Sequence, residues 1–203
     1  MTAPLIHRPS CPHPTAQWPT GVLVPQLRST GNAPAPAAAA SVALSRQHDA
    51  VLSLDGRLQT PADLGRAGLS IRAAWDQSAA NLLRLARVQP GMRFWLRALP
   101  AAPGERPWSE LAVDGAAATS WLAHPRTFTV LNEYLTARFG STPVYSFDED
   151  TSWTIRVRGG DPALWGEPAH GTEFVYRAGF PVPLNGLRDT VLSPQSAPLL
   201  LTA

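Results

Sequence analysis

Two stretches of the chain set guanidinium groups at alternate positions: Arg93, Trp95 and Arg97 in one, Thr154, Arg156 and Arg158 in the other. In an extended strand, residues i and i+2 share a face, so each stretch presents this set to one side, the first with an indole between two cations. If the two strands are neighbours, four guanidiniums and a tryptophan share one surface. Guanidinium forks suit phosphate or carboxylate, and an aromatic face suits a stacked base. The same pattern also arises where arginine stems merely cover the indole and their heads meet carboxylates on an adjoining element.

A second constellation is His124 and Arg126, flanking Pro125 at an expected helix start. Arg126 and the free helix N–H groups can hold an anion there, with His124 as acid or base. The competing reading is a histidine that only caps the helix beside a solvated arginine. Asp148-Glu149-Asp150 offers oxygens to a hard cation, yet it lacks the spacing and the glycine of a calcium loop and reads as a hairpin tip. His48 and Asp49 join a base to an acid, but consecutive strand residues point to opposite faces, so they form no dyad. The five histidines are scattered and none sits at metal-ligand spacing from a second strong ligand, His170 and Glu173 coming nearest. Cys11 stands alone, with no base nearby in sequence and no cysteine to pair with. No glycine-rich phosphate loop or G-x-S-x-G elbow is present. The residues therefore imply no cofactor and no metal site.

All 17 basic residues are arginine, and a set of groups that never deprotonates lifts the isoelectric point to about 9.2 although the net charge is only +2. With many alanines and prolines, this usage fits the coding bias of a GC-rich genome. No concentrated basic stripe of the kind expected for nucleic-acid binding appears. An apolar fraction of 44% with seven tryptophans supports a real core. No apolar run approaches the roughly 20 residues a membrane helix needs, and the first twenty residues, broken by five prolines, do not read as a secretory signal. A soluble, cytoplasmic protein is expected.

The elements that must position these groups follow from pattern. Residues 1–20 read as a flexible Pro-rich tail and 21–203 as a single α+β domain, interrupted by a low-complexity Ala/Pro loop at 31–40. Residues 21–28 look like a strand that Pro25 confines to an edge or a bend. Residues 48–54 form a strand closed by Asp55-Gly56. Thr60-Pro61-Ala62-Asp63 opens a short helix, and the 70–88 segment repeats apolar residues at helical spacing. The 92–99 segment alternates, and a loop with Pro100, Pro103 and Pro107 follows. Asp114 then caps a helix through Leu122, and Pro125 starts another ending at Gly140, with Phe128, Leu131, Leu135 and Phe139 on its buried side. Residues 142–147 and 151–158 form a hairpin with one dry and one wet face. Residues 172–177 read as a short helix, and 189–193 with 198–202 as a last hairpin. Half-polar strands and a hairpin argue for a mainly antiparallel sheet with helices packed on one face.

The order of segments resembles the uncharacterised bacterial YtpQ-like family. The resemblance rests on Leu27-Arg28-Ser29-Thr30 closing a strand, Ala79-Ala80-Asn81-Leu82 on a helix, Phe128 and Leu131 on a later one, and the hairpin from Pro143-Val144 to Ile155-Arg156. The insertion at 31–40 departs from it. The resemblance implies the fold class and a cytoplasmic location, and no activity, cofactor or catalytic residue. The residues themselves lead to a non-catalytic binding or accessory module with a protein or anionic small-molecule partner. An enzyme acting on a phosphate- or carboxylate-bearing molecule is the alternative, and a nucleic-acid binder the third reading.

Overall fold

The computed structural model describes residues 21–30, 38–88, 93–101, 107–147, 154–160 and 173–184. The N-terminal tail, the Asp148–Asp150 tip, His170 and the expected last hairpin lie outside them. The fold is α+β, with two antiparallel sheets and four helices among the described residues. None of those helices is long and apolar enough to cross a membrane.

The first sheet centres on β3 (His48–Leu54), with β1 (Leu23–Ser29) along one side and β2 (Ser41–Ala43) and β4 (Arg57–Leu58) along the other. Thr30 N–H donates to Gln47 C=O, which turns the even-numbered positions of β1 toward β3 and the odd ones outward. Pro25 therefore stands where no ladder donor is needed, as an edge strand requires. Helix α2 (Ile71–Val88) packs on this sheet through Ala74, Trp75 and Leu82, and Asn81 donates its side-chain amide to the outward Leu23 C=O at 3.1 Å.

Helix α1 (Pro61–Arg66) starts as its sequence demands. Thr60 Oγ1 accepts the Asp63 N–H, and the Asp63 carboxylate accepts the Thr60 N–H. Replacing Thr60 by Ala should lower unfolding stability by about 1 kcal/mol in a urea titration. Asn at the same position should retain most of it.

The second sheet has six strands in the order β10-β9-β7-β8-β6-β5. These are β5 (Phe94–Ala98), β6 (Ser109–Val113), β7 (Pro143–Phe147), β8 (Ile155–Gly159), β9 (Glu173–Arg177) and β10 (Phe180–Pro183). The antiparallel pairing of β7 with β8 and the alternation of β5 agree with the sequence pattern. The expected wet face does not extend to β7, which is buried on both sides because Val144, Val175, Leu184 and Trp108 cluster on its outer side. The short helix expected at 172–177 is not observed: Glu173–Arg177 form a strand, joined to β10 by Ala178-Gly179, both at positive φ. The pair makes a two-residue turn that matches strand twist, and a Cβ on Gly179 would come within 2.9 Å of Pro125 Cβ. Strand β6 also went unanticipated, because the prolines before it masked a five-residue strand.

Helix α4 (Pro125–Phe139) packs against the inner side of this sheet, while α3 (Ala118–Leu122) lies chiefly along β1 of the first sheet and also touches β6. Asp114 does not cap α3. The N-cap is Ala117, with no side-chain bond, and Asp114 occupies the turn after β6. The stripe expected on α4 is observed, with Phe128, Leu131 and Leu135 buried and Phe139 partly so. Phe128 stacks on Tyr176 at 3.6 Å, and the Tyr176 hydroxyl donates to Leu122 C=O, binding α3, α4 and β9 together. One core joins both sheets and all four helices. His48 sits at the seam, buried, with its ring 4.5 Å from Phe174 and 5.9 Å from Phe147.

Candidate functional site

The outer face of the six-stranded sheet carries the arginines that the sequence singles out. Strands β5 and β8 are not neighbours, since β6 lies between them and pairs with both. Glu110 of β6 is therefore in register with Arg97 on one side and Arg156 on the other. The expected four-guanidinium surface becomes a row in which a carboxylate separates two cations. Arg97 donates to Glu110 within that row.

At the outer end, the Trp95 ring is 47% exposed, and the Arg93 guanidinium lies 5.9 Å from its centre. The Trp95 Nε1–H donates to Asp114 Oδ1 at 3.1 Å, which fixes the indole against the sheet. A large aromatic surface held in place beside a cation is the part of this face best suited to contact another molecule.

Arg158, further along, has a different environment. Its Nη2 donates to both carboxylate oxygens of Glu173 at 2.9 Å, and its guanidinium lies 4.4 Å from the Trp108 ring centre. Arg158 and Glu173 are both largely buried, beside a small apolar cluster of Val144, Val175 and Leu184 with Trp108. This is an internal ion pair that ties β8 to β9 across β7.

His124 and Arg126 are placed by the start of α4. His124 is the N-cap, its Nδ1 accepting the Arg126 N–H at 3.1 Å while its Nε2 meets Asp76 Oδ1 of α2 at 3.2 Å. A ring whose Nδ1 accepts must carry its proton on Nε2, so both nitrogens are engaged in the neutral state. The ring is buried against Trp75, and burial lowers its pKa, opposed by the hydrogen bond and charge of Asp76 and assisted by Arg126. Arg126 itself is exposed. Among the described residues no group of three or more His, Cys, Asp or Glu side chains could hold a metal ion.

Glu110, Glu173, Asp114, Trp108 and Asp76 were not identifiable from sequence as parts of these arrangements. Each acts on a residue well away from it in the chain, across pairings that local periodicity does not encode. No family model, no curated protein and no solved structure matches this chain.

Proposed function

We propose that this chain is a non-catalytic binding module that recognises an acidic, extended protein segment on the outer face of its six-stranded sheet. The observation that carries this reading is Trp95: half exposed, pinned by Asp114 and accompanied by the Arg93 cation. Aromatic residues and arginine are the side chains that most often dominate protein interfaces. A pleated strand face is flat, which favours a protein partner over an enclosed small molecule. The charges of Arg97 and Arg158 are already directed to carboxylates, so an acidic segment would be met chiefly by the Arg93 cation beside Trp95, an arrangement less suited to capture of a free phosphate. The placement of the two histidines among the described residues supports the same reading. His48 is packed among rings and His124 is committed to a helix cap.

A random peptide library selected on the wild-type protein tests it. Enriched peptides should be rich in Asp and Glu, and should lose about tenfold or more in affinity toward a folded Arg93→Glu/Trp95→Ala variant. Peptides that bind both proteins equally would show that this face is not the site.

A further inference from the structure

The two edges of the six-stranded sheet are chemically unlike. In β10, the turn at Ala178-Gly179 sets Phe180 and Val182 as the residues bonded to β9. Pro181 and Pro183 then carry the two outward-facing backbone nitrogens, and neither has a hydrogen to donate. That edge is closed to strand pairing. In β5, Leu99 N–H donates to Trp108 C=O and Arg93 C=O accepts from Asp114 N–H, so the odd-numbered residues face β6. The N–H and C=O groups of Phe94, Leu96 and Ala98 consequently point away from the sheet. Of these, Phe94 C=O accepts the Tyr134 hydroxyl at 3.2 Å. Strand β5 has no proline and no bulge, the usual protections of an exposed edge.

Apolar side chains gather at the same edge. Four large hydrophobic residues are exposed among those described, and Trp95 and Tyr134 are two of them. Val130 is a third, one turn before Tyr134 on the same side of α4. Trp95 flanks the edge on the outer face, and Tyr134, packed on Phe94, flanks it on the inner one.

We propose that β5 pairs antiparallel with β5 of a second copy of this chain, about a two-fold axis at Leu96. The register follows from charge. An axis at Arg97 would oppose the two Arg97 side chains directly, and an axis at Trp95 would oppose Arg93 with Arg97 of the partner subunit. Like charges placed opposite one another destabilise a ladder. An axis at Leu96 instead sets Trp95 opposite Arg97 of the partner subunit, twice by symmetry, as an isologous contact requires. Each pair brings a cation beside an indole that already holds Asp114 at its nitrogen. On the inner face the two Leu96 side chains meet, with Phe94 opposite Ala98 of the partner subunit, extending over the exposed Tyr134 and Val130. The proposal rests on the strand edge and not on the peptide-binding reading. The outer faces of the two copies would lie side by side as one surface.

Sedimentation of the full-length protein from about 1 to 100 μM spans the affinities expected of such an interface and should show a monomer–dimer equilibrium. Ala98→Pro removes an outward donor that no backbone bond among the described residues uses. It should leave the circular dichroism unchanged and weaken the dimer by about tenfold or more. In a Cys11→Ser background, Leu96→Cys should cross-link to itself on mild oxidation, because paired positions stand within disulfide reach. Phe94→Cys, displaced along the strand from its own copy, should not. A wild-type protein that stays monomeric, an Ala98→Pro variant that dimerises as before, or equal cross-linking at 94 and 96 would each overturn the proposal. A monomer that still binds selected peptides would refute the dimer while leaving the binding reading intact.

Discussion

Acidification from pH 7 to pH 5 should destabilise this protein by about 2 kcal/mol through His48 alone, rising to about 3 kcal/mol by pH 4. The ring is 3% exposed and lies between Phe147 and Phe174, with Ser45 Oγ 3.0 Å from Nδ1. Burial pushes its pKa down to about 4, against an ordinary value near 6.5. Between those values the unfolded chain takes up a proton that the native chain refuses. Stability is therefore complete above pH 6.5 and lost as the pH falls toward 4. His124, whose pKa is also lowered, adds a loss of the same sign. Protonating it would also destroy the acceptor that caps α4. Urea unfolding at pH 7 and pH 5 measures the effect, and His48→Phe should remove most of it while keeping a ring in the seam. A variant with the wild-type pH dependence would show that His48 titrates normally.

Arg158→Ala should destabilise the fold by about 3–5 kcal/mol, the usual consequence of stranding a buried charge. The Arg158 and Glu173 side chains are only 15% and 10% exposed, so truncating the arginine leaves a carboxylate among Val144, Val175, Leu184 and Trp108. The guanidinium also covers the Trp108 ring, and that packing goes with it. The double replacement Arg158→Met with Glu173→Leu removes both charges in an apolar setting. It should recover most of the loss, since buried pairs are often matched by well-packed apolar residues. Guanidinium titrations of the three proteins decide the matter. A single variant within about 1 kcal/mol of wild type would mean that the pair is solvated.

Local signals in the sequence were followed closely by the structure. The capping box at Thr60, the apolar spacing of α2, the buried side of α4 and the β7–β8 hairpin each depend on residues within a few positions of one another. The alternation in β5 likewise predicted which residues face outward. What local pattern misread was short or depended on distant partners. The run Glu173–Arg177 has too few residues to distinguish a helical period from a strand period, and its pairing with β7 and β10 decides the matter. Asp114 has the chemistry of a helix cap, but Trp95 of the adjacent strand claims its carboxylate. The candidate surface failed at one point, strand order. Nothing near Arg97 or Arg156 in the chain signals that Glu110 will stand between them.

The two prolines on β10 have a consequence for the size of any assembly. A protein with two open sheet edges is a bifunctional monomer and can add copies without limit, as fibres do. With Pro181 and Pro183 at one edge, this sheet, as its described strands define it, has a valence of at most one. Any growth that begins at β5 stops after a single addition, because each new copy presents a terminator at its far side.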